Sequence, residues 1–276
     1  MKNYQGSKWT SLNRIKGWRH FEVKNINKKK SELELFAVCD NKITLSVKFH
    51  EIKNKNKWLS GWVKLNDMNL VIATHNKDKC KEILFELKNF KVNVKTLDQF
   101  PSIGEIEENG LTLKENALIK VREVYKKTGL PCIGDDTGLE VDALNGAPGV
   151  FSARYAGKNC TYLDNINKML NDLKNIPHQD RKAQFRTVMA YKDSNMELTC
   201  EGIVKGYIMK EIKGLGGFGY DPLFYVTKYK KTFAEMNMNE KNKISHRGIA
   251  IKSMVQLLIK NGIILNKNIK SRGELA

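Results

Sequence analysis

Two adjacent aspartates stand where the sequence has just completed an apolar stretch. Asp135 and Asp136 follow "LPCI" and precede the hydroxyl of Thr137. Neighbouring carboxylates at the end of a buried strand lose solvation and repel each other, so their presence needs a physical reason. A cation held between carboxylates, a carboxylate that acts as a base, and a solvated turn would each provide one. The residues alone leave these three explanations open.

An acidic turn lies ahead of the aspartates in the chain. Glu105, Glu107 and Glu108 come just before Thr112 and Glu115, which have the spacing of a helix-capping box. The turn could fold back over the strand that carries the aspartates and add a further carboxylate. Mg²⁺ prefers one or two carboxylates together with the phosphate oxygens of a substrate. The acidic residues of this turn and the two aspartates therefore indicate a possible magnesium site.

A second group of polar residues follows the apolar stretch "NLVIAT". The pattern predicts a strand that turns into a helix. The polar residues around that turn are Thr74, His75, Asn76, Lys77 and Lys79. Free backbone N–H groups and lysines at a helix N-terminus bind anions, phosphate in particular. Ordinary capping by Thr74 or Asn76 is the alternative, because both residue types are common N-caps.

A glycine-rich stretch, "GLGGFGYDP", has the spacing G-x-G-x-x-G but not the context of that motif. A dinucleotide-binding loop needs a helix directly after the glycines, whereas Pro222 and the strand-like "LFYV" follow here. The stretch is better interpreted as a flexible loop that presents Phe218 and Tyr220 to a flat ligand, with Asp221 at its exit. A glycine-rich turn with aromatic residues in the core is the alternative.

His246 and Arg247 lie in the first turn of the last helical pattern, which is predicted from about Ser245 to Lys260. Basic residues in a first turn oppose the helix dipole, which favours anions there. This conflict indicates that the pair faces a ligand, although a lone His-Arg pair more often lies on the surface.

The elements that must position these residues alternate between strands and helices. A helix with a buried stripe is predicted between Thr112 and Gly129. The strand "PCIGDD" then brings Asp135 and Asp136 to its carboxyl end, where open α/β sheets bind ligands. A helix at "TYLDNINKMLNDL" follows, and two long strands are expected to form a hairpin that turns at "DSN". The hairpin predicts a mixed sheet in an α/β fold.

The first 66 residues differ from the rest of the chain. All four tryptophans lie within the first 62 residues, and residues 1–67 carry 15 Lys and Arg against 6 Asp and Glu. Three short strands, at "HFEVKNI", "ELELFAV" and "KITLSVKF", are predicted to form a small sheet that "KWLSGWVKL" could close. We therefore place a boundary near Asn66–Asp67, between a small mainly-β module (1–66) and a larger domain (67–276).

This front module resembles a small tryptophan-rich bacterial family without an established function, through "SKWTS", "HFEV" and "KWLSGWVKL". Basic residues between aromatic residues can bind nucleic acid by stacking and charge neutralisation. A small domain also needs large aromatic residues to form a core, and this interpretation is favoured.

The composition of the whole chain restricts where the protein works. Its net charge of +18 comes mostly from lysine, which is typical of polyanion binding but also of a solvated, lysine-rich surface. Five cysteines stand far apart without a CxxC pair, which argues against a disulfide framework or a zinc site. No apolar run has the length of a membrane span, and the first residues lack the apolar segment of a secretory signal. We expect a cytoplasmic protein.

Taken in order, the motifs resemble those of the inosine triphosphate pyrophosphatase family, which hydrolyses non-standard purine nucleoside triphosphates. The matching stretches are "ATHNKDK", "EENGLTLKENA", "DDTGLEVDALNGAPGVFSARYAG", "GFGYDPLF" and "EKNKISHRG", across about residues 68–262. The resemblance implies an α/β fold of two lobes around a long mixed sheet with the active site in a cleft, a homodimer, and a requirement for Mg²⁺. It also implies ITP, dITP and XTP as substrates, a nucleoside monophosphate and pyrophosphate as products, and a role in cleansing the nucleotide pool.

The same resemblance implies roles for individual residues. Asp136 matches the catalytic carboxylate, which deprotonates water for attack on the α-phosphorus and also binds Mg²⁺. Asp135 and either Glu107 or Glu108 are the further metal candidates. The substrate-binding candidates are Thr74, His75, Asn76, Lys77, Asp78, Lys79, Thr137, Phe218, Gly219, Tyr220, Asp221, Lys241, His246 and Arg247.

A nucleic-acid-binding protein that acts through residues 1–66 is the alternative function. It would predict a degenerate second domain that has lost the carboxylates or the phosphate-binding turn, and the sequence retains both. A nucleotide sensor without turnover would fit the pocket but would leave the acidic cluster without a role.

Overall fold

The computed structural model describes residues 4–54, 57–62, 68–90, 92–261 and 263–264. Two compact units are present, one formed mainly by the N-terminal residues and one by residues 69–88 and 94–256. Within the described residues, two sheets and six helices give a mixed α/β fold with a mainly-β N-terminal region, which confirms the predicted fold class. The predicted boundary near Asn66–Asp67 lies outside the described residues and stays a prediction.

The N-terminal unit contains an antiparallel sheet of five strands in the order β4-β3-β2-β1-β5. Its elements are β1 (Lys8–Ile15), β2 (Trp18–Asn27), β3 (Glu32–Ala37), β4 (Asp40–Lys48), the short helix α1 (Phe49–Ile52) and β5 (Trp58–Ser60). Strands β2, β3 and β4 correspond to the three predicted strands, and β5 closes the sheet as expected. Strand β1 was not predicted, because its sequence "KWTSLNRI" has no regular alternation of apolar and polar residues.

The alternation of side chains along the strands builds the core of this sheet. Leu33 and Leu35 on β3 are fully buried, while the residues that alternate with them, Glu32, Glu34 and Phe36, are half-buried. Phe21 on β2 lies in the same cluster, where its ring meets that of Trp58 edge to face at 5.7 Å between ring centroids. One face of the sheet is therefore covered by apolar side chains.

The tryptophans contribute mainly to this core. Trp58 is buried, and Trp9 and Trp18 pack against the apolar cluster. Trp62 is 44% exposed, and the ammonium of Lys8 lies 3.9 Å from the centroid of its ring. The interpretation of the tryptophans as core residues therefore agrees with the structure for three of the four.

The larger sheet is mixed, as predicted, with strands in the order β13-β12-β11-β10-β8-β6-β7 and with β9 paired to β8. Strands β6 and β8 are parallel, whereas β10 runs antiparallel to both of its neighbours, β8 and β11. The elements are β6 (Met68–Ile72), α2 (Lys77–Leu87), β7 (Val92–Thr96), α3 (Leu113–Thr128), β8 (Cys132–Val141), β9 (Pro148–Gly149), α4 (Tyr162–Asp172), β10 (Lys182–Lys192), β11 (Glu197–Ile208), β12 (Phe224–Val226), β13 (Lys231–Thr232), α5 (Met238–Ile244) and α6 (His246–Lys260).

Helix α3 begins and ends where the sequence indicates. The hydroxyl of Thr112 accepts a hydrogen bond from the backbone N–H of Glu115 at 3.1 Å, and the Glu115 carboxylate accepts one from the Thr112 N–H at 3.0 Å. Gly129 ends the helix in the left-handed conformation, with φ of 65°. Among the described residues, none of the helices has both the length and the hydropathy that a membrane span requires.

The position of the two aspartates differs from the prediction. Strand β8 does not end at Asp136 but continues to Val141, because β10 pairs with it over ten consecutive residues. The parallel neighbour β6 ends at Ile72, opposite Ile133. The expectation that the aspartates lie at the carboxyl end of their own strand was wrong. They lie in the middle of β8, just beyond the carboxyl end of β6.

Candidate active site

Asp136 is held by two residues of helix α3. Its carboxylate accepts hydrogen bonds from Lys120 Nζ at 3.0 Å and from Asn116 Nδ2 at 3.3 Å. Asn116 and Lys120 are four residues apart and therefore lie on one face of the helix. All three side chains are almost fully buried. The carboxylate is thus fixed in orientation inside the protein.

Lys120 also joins Asp136 to the acidic turn. Its ammonium lies 3.1 Å from the Glu108 carboxylate, so one cation stands between two carboxylates. Burial alone would lower the pKa of Lys120, but the charges of Asp136 and Glu108 outweigh it and raise the pKa. The pKa of Glu108 is raised by burial, with a further contribution from the charge of Asp136. This part of the turn therefore faces Asp136.

The donor set around Asp136 fits a magnesium ion with few protein ligands. Two carboxylates, Asp136 and Glu108, already converge on a single cation. In the part of the chain that the structure describes, no group of three or more Asp, Glu, His or Cys side chains is arranged to hold a metal. Mg²⁺ commonly takes only one or two carboxylates and completes its shell with water and substrate phosphates. Glu107 is exposed, and its role as a metal ligand stays a prediction.

Asp135 belongs to a different environment from its neighbour, because successive side chains of a strand point to opposite faces. It is completely buried, with Lys79 Nζ and Arg247 Nε each at 3.2 Å and the Thr137 hydroxyl at 3.0 Å. Burial would raise the pKa of Asp135, but the charges of Lys79 and Arg247 hold it well below its usual range. The two aspartates are therefore neutralised separately, which answers why they can be adjacent.

The N-terminus of α2 is capped from within the protein. The Asn76 side chain accepts hydrogen bonds from the backbone N–H groups of Asp78 and Lys79, both at 3.0 Å. Its own Nδ2 donates to the hydroxyl of Tyr162 on α4 at 3.2 Å. Burial lowers the pKa of Lys79 despite the charge of Asp135. The structure thus shows the capping interpretation of this turn, and phosphate binding there stays a prediction.

An ion network connects α2 with the start of α6. Glu82, on α2, binds Lys241 at 2.9 Å and Arg247 at 2.5 Å. Lys241 also lies 2.6 Å from Asp221, at the exit of the glycine-rich loop. Burial raises the pKa of Asp221 despite Lys241, whereas Arg247 and Lys241 overcome the effect of burial and lower the pKa of Glu82. The network fixes the two basic side chains that surround Phe218.

Phe218 is the aromatic residue that the glycine-rich loop presents. Lys241 Nζ lies 4.6 Å and Arg247 Cζ 5.4 Å from the centroid of its ring. Its backbone N–H donates to Asp221 at 2.8 Å, which fixes the loop. Tyr220 is different, because it is buried and its hydroxyl donates to the carbonyl oxygen of Ser152 at 2.9 Å.

His246 stacks against Phe185, with ring centroids 4.3 Å apart and an interplanar angle of 16°. Burial, together with the nearby charge of Arg247, lowers its pKa well below the usual value, so the imidazole is neutral. Among the described residues its Nδ1 has no hydrogen-bond partner. A buried polar atom without a partner is available to a ligand.

A cavity of about 1170 Å³ joins these groups. Its lining includes the α2 N-terminus, the acidic turn, Asp136 and Phe218. The site residues predicted from the sequence that line it are Thr74, His75, Asn76, Lys79, Glu107, Glu108, Asp136, Thr137, Phe218, Gly219, Tyr220, Asp221, Lys241, His246 and Arg247. The remaining three, Lys77, Asp78 and Asp135, are not among the lining residues.

Comparison with known proteins gives consistent results for this part of the chain. The model of the Ham1 family matches residues 70–257. A dITP/XTP pyrophosphatase from Desulforamulus reducens is 48% identical over 192 residues, which are 69% of this chain and 96% of the relative. A HAM1 protein structure from Coxiella burnetii has a TM-score of 0.65 at 42% identity and covers 70% of this chain and 99% of its own. The Staphylococcus aureus Ham1 protein gives 0.64 at 39% identity, with 70% and 98% coverage.

The chain belongs to the Ham1 family. Membership confirms the predicted family and the predicted enzyme class, a hydrolase of the pyrophosphatase type. A second family model, described as Tryptophan-rich protein (DUF2389), matches residues 7–63 and confirms the resemblance of the front module.

Three residues of this Ham1 site were missed by the sequence reasoning. Asn116 and Lys120 lie within the buried stripe of α3, and Glu82 precedes the buried Ile83 on α2. A polar residue on the apolar side of a helix was the available signal, because such burial needs a partner. The signal is weak without the partners, which lie far away in the sequence.

Proposed function

We propose that this chain hydrolyses dITP, XTP and ITP to the nucleoside monophosphate and pyrophosphate, with Mg²⁺ as cofactor. In this function it removes non-standard purine nucleotides from the cytoplasmic pool before they enter DNA or RNA. The observation that carries the proposal is one cavity lined by an oriented carboxylate, Asp136, by the N-terminal turn of α2, and by an aromatic ring flanked by two cations. The names of the relatives, dITP/XTP pyrophosphatase, support dITP and XTP as substrates.

Asp136 is the proposed general base. Its carboxylate takes a proton from a water molecule, whose oxygen forms a bond to the α-phosphorus while the bond to the bridging oxygen of the β-phosphate breaks. Pyrophosphate leaves with that bridging oxygen. Lys120 and Asn116 keep the carboxylate oriented, and such positioning supplies much of the rate in phosphoryl transfer.

Asp136 and Glu108 are the residues that would hold Mg²⁺, together with phosphate oxygens of the substrate. When bound there, the ion supplies charge neutralisation and Lewis acidity at the phosphate. Lys120, which stands between the two carboxylates, is well placed to contact phosphate oxygens instead.

Selection of the base is assigned to the end of the cavity near Phe218. The ring stacks on the purine, and Lys241, His246 and Arg247 surround it with polar groups. Hypoxanthine and xanthine present an oxygen at position 6, whereas adenine presents an amino group that would leave donors of the site unpaired. A mismatch of this kind reduces kcat/KM by about 10⁴-fold in a site whose hydrogen-bonding groups match only one arrangement of donors and acceptors on the base.

The test is pyrophosphate release from dITP, XTP, ATP and GTP by the purified chain, with Mg²⁺ and with EDTA. We expect metal-dependent release from dITP and XTP, with ATP and GTP nearly unchanged. No release from any of the four would refute the proposal. We also propose a homodimer, which light scattering in solution tests directly.

The alternative, nucleic-acid binding through residues 1–66, has little support. Stacking on bases requires exposed aromatic rings, and three of the four tryptophans are directed to the core of the sheet.

A further inference from the structure

The charged side chains deep in the active site are already matched to one another. Four cations, Lys79, Lys120, Lys241 and Arg247, pair with five carboxylates, Glu82, Glu108, Asp135, Asp136 and Asp221. All of these ion pairs are 3.2 Å or shorter. A triphosphate is strongly anionic, and this set offers it no excess of positive charge. Binding therefore needs positive charge from outside the set, beyond that of the Mg²⁺ ion proposed above.

Two basic residues that line the cavity are outside this set. Arg154 and Lys158 lie on the segment between β9 and α4, and both are exposed. Within the described residues neither has a carboxylate at ion-pair distance, in contrast to the four buried cations. Their charge is therefore available to a ligand, and the exposed position spares them the free energy of desolvation until the ligand binds.

Contacts of Arg154 place its guanidinium at the acidic-turn end of the cavity. Its Nη2 donates to the carbonyl oxygen of Glu108 at 3.5 Å, and its Cζ lies 5.1 Å from the ring centroid of Phe151. Glu108 is in turn joined to Asp136 through Lys120. The described contacts of Phe218 are instead with Tyr162, Lys241 and Arg247. Arg154 thus lies beside the acidic turn, where Glu108 is proposed to hold Mg²⁺ together with phosphate oxygens of the substrate.

We propose that Arg154, assisted by Lys158, binds the β- and γ-phosphates of the substrate, which leave together as pyrophosphate. The inference rests on the proposed function and assigns a binding site for the leaving group within it. A guanidinium presents a planar set of donors that matches two phosphate oxygens, and such charge-assisted bonds are among the strongest in proteins. Negative charge grows on the β-phosphate as the bridging bond breaks, so the contact strengthens in the transition state.

The test compares Arg154→Gln with Arg154→Lys and with a matched control, Arg122→Gln. Arg122 lies on α3 with its side chain exposed and paired with Glu197, so its loss removes the same charge elsewhere. The measurements are kcat and KM for dITP, and the inhibition constants of tripolyphosphate and of dIMP. Tripolyphosphate probes the phosphate side alone, and dIMP probes the base side and the α-phosphate.

For Arg154→Gln we expect a fall in kcat/KM of about 10- to 100-fold, from the loss of a hydrogen-bonded charge. Inhibition by tripolyphosphate should weaken by at least about tenfold, while that by dIMP changes less than about twofold. Arg154→Lys should recover part of the loss, and Lys158→Gln should show a smaller loss of the same kind. The inference would be overturned if Arg154→Gln had the same kcat/KM as the control Arg122→Gln. It would also be overturned if Arg154→Gln weakened inhibition by tripolyphosphate and by dIMP to the same extent.

Failure of the proposed function would look different. In that case the unaltered chain would release no pyrophosphate from dITP or XTP with Mg²⁺ present. Calorimetry with tripolyphosphate on the unaltered chain and on Arg154→Gln would still decide the phosphate site. Equal binding by the two proteins would reject the role of Arg154, whereas at least about tenfold weaker binding by the variant would support it.

Discussion

The two units of this chain treat charge in opposite ways. Among the described residues of the N-terminal sheet, the buried polar side chains are neutral ones, Thr10 and Ser11, and the lysines lie outside the core. The Ham1 domain buries carboxylates, lysines and an arginine together, with Glu82, Lys241 and Arg247 at its centre. The first unit is built from aromatic and aliphatic packing, whereas the second combines apolar clusters with a buried ion network.

This difference has a physical meaning. Burying a charge is unfavourable even when it is paired, and apolar residues of similar volume would often be as stable. The N-terminal sheet avoids this penalty, so its large side chains are explained by stability. The Ham1 domain buries several charged side chains around one cavity in spite of this cost in free energy, which indicates that the charges are retained for binding and catalysis. The comparison can be tested by substitutions in each unit.

Substitution of Asp136 by Asn should have the largest effect. The amide cannot accept a proton from water, so we expect kcat to fall by about 10³-fold or more, with the fold largely retained. The measurement is pyrophosphate release from dITP, with circular dichroism to check folding. Asp142→Asn is the matched control, because Asp142 is exposed immediately after the same strand. Activity of Asp136→Asn within tenfold of the unaltered enzyme would show that Asp136 is not the general base.

Substitution of Trp58 by Ala should separate stability from catalysis. Loss of a buried tryptophan lowers the free energy of unfolding by about 3–5 kcal/mol, and in this variant the loss falls on the N-terminal sheet. The value of kcat/KM should change less than about twofold. All four tryptophans lie in residues 1–62, so intrinsic tryptophan fluorescence during denaturation reports on that unit alone. Trp62→Ala, at a 44% exposed position, should cost less than about 1 kcal/mol. A parallel loss of activity in Trp58→Ala would contradict the separation.

The sequence predicts local features of both units well and distant pairings poorly. Helix α3 was predicted because Thr112, Glu115 and Gly129 determine its ends through local hydrogen bonds and backbone conformation. The hairpin of β10 and β11 was predicted from two apolar runs around a polar turn. In each case the information lies within a few residues of the element.

The errors concern partners that are far apart in the chain. The extension of β8 past Asp136 depends on β10, about fifty residues later, which supplies the backbone hydrogen bonds. Glu82 was overlooked because a glutamate on a helix is usually exposed, and its partner Arg247 is 165 residues away. The energy of such contacts is decided by the tertiary structure, so periodicity and spacing contain only a weak signal for them.

The ion network should also give the Ham1 domain a specific dependence on pH. The folded-state pKa of Glu82 lies below its ordinary value of 4.5, because Arg247 and Lys241 outweigh the effect of burial. Its contribution to stability is therefore present above about pH 4.5 and is lost as the pH falls through the folded-state pKa. Glu82→Gln should lower stability by about 2 kcal/mol at pH 7, and the difference from the unaltered chain should shrink below pH 4.5.

Thermal unfolding at pH 7, 5 and 3.5 measures this difference. Glu86→Gln, one turn further along α2, is the matched control, because it removes a carboxylate from the same helix outside the network. A difference between Glu82→Gln and the unaltered chain that stays constant from pH 7 to 3.5 would show that packing, rather than charge, sets the role of Glu82.

Removal of residues 1–66 should have the smallest effect of all. The curated relative from Desulforamulus reducens aligns over 96% of its own length with only 69% of this chain, so a Ham1 protein without the tryptophan-rich sheet exists. The site residues and their contacts all lie between Thr74 and Arg247. We expect the shortened chain to remain folded, with kcat/KM for dITP within about threefold of the full chain. The measurement is the same pyrophosphate assay beside circular dichroism, because the shortened chain contains no tryptophan. An inactive or aggregated product would show that the Ham1 domain requires the N-terminal sheet. The two units would then not be independent of each other in folding or activity.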